Sequence, residues 1–193
     1  MRFLDTAAKV IRVLTVPAVT SGCAMTLLWL SETMIYRSVT DYLVVLFGLT
    51  VVPLLSYVVT GIIPSLRKQG RETQRKYAMY FSAVGYIISF LYSFAANTTG
   101  AYRAITGAYV VSIVLLLVLN KGMHFKASGH ACSTAGPLVA MGYFLGGWYV
   151  LVGLGVCALV IWSSMALKQH RFWELMTGSA VSGVSFVCLA ALI

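Results

Sequence analysis

Three short stretches hold most of the residues in this 193-residue chain that could do acid–base, nucleophilic or phosphate chemistry. The first is Lys121-Gly122-Met123-His124-Phe125-Lys126-Ala127-Ser128-Gly129-His130. A helix starting near Ser128 would aim its unpaired backbone N–H groups at this loop, and with the lysines and the serine that makes a site for an anion. His130 would stand where it could give or take a proton. The plainer alternative is a basic loop with a capping serine. The second stretch runs from Ser163 to Glu174 and contains His170 and Arg171. His170 and Glu174 are four residues apart, the spacing that puts two side chains on one helical face. A carboxylate bonded to one imidazole nitrogen fixes the tautomer and makes the other nitrogen more nucleophilic. The alternative is an interfacial histidine beside a glutamate stabilised by the helix start. The third is Arg67, Arg71 and Arg75, with Lys68 and Lys76 beside them. On one helix the three arginines would form a guanidinium stripe suited to phosphate oxygens, or an anchor for lipid headgroups. The three histidines lack E-x-x-H or H-x-x-x-H spacing, so no metal site and no cofactor is expected.

The elements that must position these groups are membrane helices. Hydrophobic residues make up 60% of the chain, charged residues 10%, and the mean hydropathy is +0.88. A soluble domain carries about 25% charged residues. The composition therefore excludes an ordinary cytosolic enzyme, a disordered chain and a secreted disulfide scaffold, and points to an all-α integral membrane bundle of six to seven transmembrane helices. A bilayer core needs about 20 apolar residues per helix. Seven segments fit: Val13–Leu30, Tyr42–Ile63, Tyr77–Ala95, Ala104–Asn120, Ala131–Gly146, Trp148–Leu167 and Phe172–Ile193. The fifth and sixth are divided at Gly146–Gly147, because an unbroken helix there would be too long for one crossing. Gly142 and Gly146 form a G-x-x-x-G pair that would let helices approach closely. Residues 1–193 read as one transmembrane domain, with the chemistry in 121–183. Met1–Arg12 could open a signal peptide, but no cleavage site stands out and the segment is read as part of the first span.

With seven spans, 12 of the 14 Lys/Arg residues fall on one side and only Arg37 and Arg103 on the other. The positive-inside rule places the basic side, and the candidate site with it, at the cytoplasmic face. The net charge of +9 then points to anionic lipid or phosphate partners, with no nucleic acid. Cys23, Cys132, Cys157 and Cys188 show no C-x-x-C spacing and read as small buried hydrophobes. Cys132 stands apart because it lies two residues after His130.

The region Lys121 to Gly183 resembles the type 2 phosphatidic acid phosphatase family, the membrane relatives of vanadium haloperoxidases. Ala127-Ser128-Gly129-His130 matches three positions of that family's P-S-G-H motif. Ser163, His170 and Glu174 fall on the Ser, His and Asp positions of its later motif, with the spacings kept. The resemblance implies that His170 is a nucleophile forming phosphohistidine, that Glu174 orients it, and that His130 is the general acid. Ser128 and the Gly129 N–H would hold phosphate oxygens. It also implies a six-helix core and isoprenyl phosphates, isoprenyl diphosphates or phosphatidic-acid-like lipids as substrates. The sequence departs from the family in three places. Ser164 stands where the family has arginine, Ala127 replaces the proline, and of the first motif only Lys121 has a counterpart. Lys126, Arg171 and the Arg67/Arg71/Arg75 stripe are the candidates to replace the absent cations.

The expectation is a membrane lipid phosphatase or diphosphatase whose partner is a phosphorylated membrane lipid; oligomeric state is left open. Two other readings stand beside it. One is a catalytically inactive relative that binds anionic lipid or a membrane partner. The other is a small anion transporter built on Arg67, Lys126 and His130.

Overall fold

The computed structural model describes residues 2–31 and 33–192, with side chains for all of these but Arg2, Phe3 and Arg71. Among the described residues the fold is all helical. Helix α1 (Arg2–Leu14) bends by 51° into α2 (Pro17–Leu30). Pro17 stands at the start of α2, where its missing N–H is no loss and its fixed φ favours the first turn. α3 (Val39–Leu46) passes through a π-helical turn, Phe47–Val51, into α4 (Val52–Ile62). The short α5 (Pro64–Arg67) precedes α6 (Gly70–Ala95). α7 (Gly100–Leu117) ends in a second π turn at Val118–Gly122, and α8 (Gly129–Leu145), α9 (Gly147–Ala166) and α10 (Phe172–Ala190) complete the bundle.

Five of these helical runs are long and apolar enough to cross a membrane: 39–62, 72–95, 100–122, 147–166 and 172–190. The bent α1–α2 pair makes a sixth if it counts as one span. All seven apolar segments read from the sequence are helical, but two differ from expectation. The first is broken at Thr15–Val16 rather than running through from Val13. The fifth, α8, has 17 residues and runs through Pro137, which removes one backbone donor from its middle. The division between α8 and α9 falls where expected: Gly146 and Gly147 both have positive φ (65° and 44°), which glycine adopts without a Cβ clash. Of the expected glycine pair, only Gly142 serves packing, with its Cα face against Val150, while Gly146 belongs to the turn.

α8 lies at the centre, packed on α2, α9 and α10, while α7 packs on α6 and α10. The main core joins Met25 and Leu28 of α2, Ile105 and Tyr109 of α7, and Phe186 of α10. At one end, Asp41 accepts hydrogen bonds from the Tyr92 hydroxyl (2.9 Å) and the Arg37 N–H (2.9 Å), and Arg37 also reaches the Asn97 carbonyl. The candidate residues gather at the opposite end, where α6, α8 and α10 begin and α4, α7 and α9 finish.

The expected guanidinium stripe is not formed. Arg67 closes α5, the chain turns at Lys68–Gln69, and Gly70 takes φ +76° before α6 begins. Arg67 therefore sits on a different helix from Arg75, exposed and outside the cavity lining. The side chain of Arg71 lies outside the described residues.

Candidate active site

The beginning of α10 builds the centre of the site. Arg171 is its N-cap and Glu174 is the third helical residue, so the Glu174 carboxylate can fold back over the helix start. There it accepts from the Arg171 N–H (3.3 Å), half of the arrangement known as a capping box. The same oxygen, Oε2, lies 2.7 Å from His170 Nδ1. The two residues do meet, but the contact comes from this fold-back and not from a shared helical face, since His170 precedes the helix.

The other ring nitrogen settles the tautomer. Arg75 Nη2, from the first turns of α6, lies 3.2 Å from His170 Nε2. A guanidinium has donors only. Nε2 must therefore accept, which leaves the proton on Nδ1, where the Glu174 carboxylate takes it. His170 is thus a neutral imidazole with its Nε2 lone pair directed toward a guanidinium. Burial holds its pKa below the ordinary value of 6.5, Arg75 and Lys126 push the same way, and Glu174 opposes them. Replacing Arg75 by methionine removes one of the depressing charges. The His170 pKa is expected to rise, and the ring titration followed by ¹⁵N NMR in micelles checks it. An unchanged titration would show that the two groups do not interact in solution.

The start of α8 is bolted to the same place. The Ser128 N–H donates to the Glu174 backbone carbonyl (2.8 Å), and Ser128 Oγ accepts from the Ala131 N–H (3.3 Å) as an N-cap. One turn further along α10, a Cβ on Gly178 would land on the Ser128 carbonyl oxygen and 3.1 Å from its carbon. Gly178 is what allows the two backbones to lie this close. His130, in the first turn of α8, has its Nε2 buried with no hydrogen-bond partner.

His130 and His170 both line a cavity of about 1200 Å³. Its basic end also has Lys9, Arg12, Arg75, Lys76, Lys121 and Lys126, together with Gly129. No Asp or Glu lines it among the described residues. Deeper in, the walls are Ile105, Ile113, Leu116, Ala140 and Phe186, interrupted by Ser82, Ser112, Ser133 and Cys132. This is a cationic mouth over a mostly apolar interior. Cys132 is thus a wall residue of the cavity.

The remaining expected residues stand elsewhere. Ser128 and Ser163 are fully buried, one used as the cap and the other bonded to the Val160 carbonyl (3.1 Å), and neither lines the cavity. Arg171 is exposed and contributes its backbone N–H. Glu174 stands behind His170, bonded to its Nδ1, and does not itself line the cavity. The sequence reading missed Lys9 and Arg12 as site residues. Arg12 Nη1 donates to Ser164 Oγ at 3.1 Å across 152 residues of sequence. A cation from α1 therefore lies on the position where the resemblance expects arginine.

No protein-family model matches this sequence, and no curated protein and no solved structure is similar to it.

Proposed function

We propose that the protein is a membrane lipid phosphatase or diphosphatase working through a phosphohistidine intermediate. The observation that carries this reading is His170: a neutral, Glu174-bonded imidazole whose acceptor nitrogen faces Arg75 in the wall of a cavity with a cationic mouth and apolar depth. An amphiphile with a phosphate head and a hydrocarbon tail matches that polarity. Isoprenyl phosphates, isoprenyl diphosphates and phosphatidic-acid-like lipids all have it.

In the proposed reaction, Nε2 of His170 attacks phosphorus as the bond to the leaving oxygen breaks. His130, protonated as the phosphate's negative charge comes to lie beside it, supplies that proton to the oxygen. Arg75 passes from the imidazole to the phosphoryl oxygens, where its charge does more in the transition state than in the resting enzyme. Water then attacks the phosphohistidine, His130 takes its proton, and inorganic phosphate leaves. Phosphoryl transfer needs alignment and positive charge around the equatorial oxygens above all, and the basic mouth offers both. The proposal further places seven crossings in the membrane, with α8 as one of them, a core like that of the type 2 phosphatidic acid phosphatases, and the site at the cytoplasmic face. The 12-to-2 charge asymmetry supports that orientation.

The test is phosphate release in detergent micelles from isoprenyl monophosphate, isoprenyl diphosphate and phosphatidic acid, with ³²P trapped on the protein by rapid denaturation. Release with an acid-labile label that disappears in His170→Ala is the expected result. Folded protein that binds these lipids but neither releases phosphate nor takes the label would overturn the reading in favour of a non-catalytic lipid-binding protein.

A further inference from the structure

We propose that the gap between α1 and α4 is a side entrance through which the hydrocarbon tail of an amphiphile slides from the bilayer into the cavity. This rests on the phosphatase reading for what happens to the phosphate, but not for the passage itself.

A residue that both lines the cavity and is exposed marks a place where the cavity opens. Among the charged residues these are Lys9, Arg75, Lys76, Lys121 and Lys126, the cationic mouth. Among the large apolar residues they are Val13, 68% exposed, and Tyr57, 42% exposed. Val13 belongs to α1 and Tyr57 to α4, inside the apolar span 39–62. The cavity therefore has an apolar opening as well as a basic one.

Two breaks in the chain create the gap. The 51° bend between Leu14 and Pro17 carries α1 off the line of α2 and onto α9. The π turn at Phe47–Val51 divides α3 from α4, and α4 packs along α6. α1 and α4 are thus held from different sides and are not packed on each other. Further from the mouth the gap closes, where α2 meets the π turn: a Cβ on Gly22 would lie 3.2 Å from Thr50 Oγ1. The cleft is open toward the cationic end and pinched shut beyond it. Half-buried Val16 and Pro17 on one side and buried Pro53 on the other continue the apolar lining inward.

An amphiphile that reached the cavity through water would lose about fourfold in equilibrium for every methylene exposed on the way. Sliding in sideways, it keeps its tail in hydrocarbon while its phosphate follows the basic rim. The two openings match the two halves of one molecule. Any length of tail beyond what the cavity holds can stay in the bilayer, so the site accepts long tails, whereas phosphate esters without a tail need only the mouth.

The test uses the full-length protein in phospholipid nanodiscs, with p-benzoylphenylalanine in place of Tyr57 or, for comparison, of Val187, which is exposed on α10 and outside the cavity lining. The probe is an isoprenyl phosphonate tritiated in the tail, whose C–P bond does not hydrolyse, and orthovanadate competes for the cationic mouth. Photocapture at position 57 that vanadate reduces, beside capture at 187 that it does not, is the expected result. A second arm narrows the gap with Val13→Trp and Tyr57→Trp together. This is expected to raise KM for isoprenyl monophosphate about tenfold, the mark of lost binding with the chemistry kept, and to leave turnover of phenyl phosphate within about twofold. Vanadate-sensitive capture at 57 in a protein that turns over neither substrate would support the entrance and overturn the enzyme reading. Turnover by the wild type, with capture at 57 as insensitive to vanadate as at 187, would show that only bulk lipid lies there; it would overturn the entrance and leave the enzyme reading standing. Insensitive capture and no turnover would overturn both. The capture measurement decides even if the double tryptophan variant does not fold.

Discussion

Under the proposed phosphohistidine mechanism, exchanging Glu174 for glutamine lowers phosphate release by an expected factor of about 10³, without displacing any backbone. The magnitude follows from the tautomer. Glu174 accepts from Nδ1–H while Arg75 donates to Nε2, so the ring has only one protonation pattern that satisfies both neighbours. A glutamine amide can present N–H₂ to Nδ1 instead. That moves the ring proton to Nε2, where it opposes an Arg75 donor and removes the nucleophilic lone pair. The amide also carries no charge to stabilise the cationic phosphoimidazole. Comparable exchanges behind a catalytic histidine lower turnover by up to about 10⁴. The pH profile gives the sign independently. The His170 pKa is already depressed by burial, and Glu174 is the group that opposes the depression. Its removal drives the pKa lower still, so the acid limb of kcat/KM moves to lower pH while the plateau falls. The same linkage acts on folding. The unfolded chain takes up the proton near pH 6.5 and the folded site only below that, so this residue's contribution to stability is lost as pH falls through that window. In Glu174→Gln the window extends further down. An acid limb that moved upward would contradict the arrangement.

Gly178→Ala is expected to lower turnover about 10²-fold although residue 178 lies outside the cavity. Its Cβ would collide with the Ser128 carbonyl, which is backbone and cannot swing aside like a side-chain tip. Either α10 or the start of α8 must move. These two helix starts hold the two histidines and are joined by the Ser128 N–H to the Glu174 carbonyl. A shift of about 1 Å between such groups can cost about 10² in rate. Overpacking of this kind also destabilises by about 1–3 kcal/mol. Turnover beside the thermal midpoint is the check: a large loss of rate with a modest loss of stability is expected. Wild-type rates would show that the interface absorbs the methyl group and that the histidines are not registered through it.

The two large effects draw on features that differ in how visible they were from the sequence. The seven apolar runs, the break at Gly146–Gly147 and the proximity of His170 to Glu174 depend on neighbours along the chain, and spacing exposes them. Even there the mechanism differed, because the Glu174 contact arises from helix capping. The arginine stripe failed for a local reason: an i, i+4, i+8 pattern predicts one face only if the helix is continuous, and the Pro64 start with the positive φ of Gly70 divides it. Arg12 and Gly178 were illegible for a different reason. Arg12 is one basic residue among many at a membrane face, and only the α1 bend and the Ser164 contact distinguish it. A single glycine at a backbone crossing has no signature in sequence.

The cationic mouth carries a thermodynamic consequence for the folded protein itself. Six Lys/Arg side chains line the same cavity as the two histidines, with no acidic residue among the described lining, so the folded protein carries a mutual repulsion that the unfolded chain does not feel. Any small anion that fits there binds the native state alone and stabilises it by mass action, about 2.7 kcal/mol at a hundred times its dissociation constant. The apparent stability of the bundle is then set partly by its solvent. Phosphate or sulfate buffers would hold it folded where chloride would not.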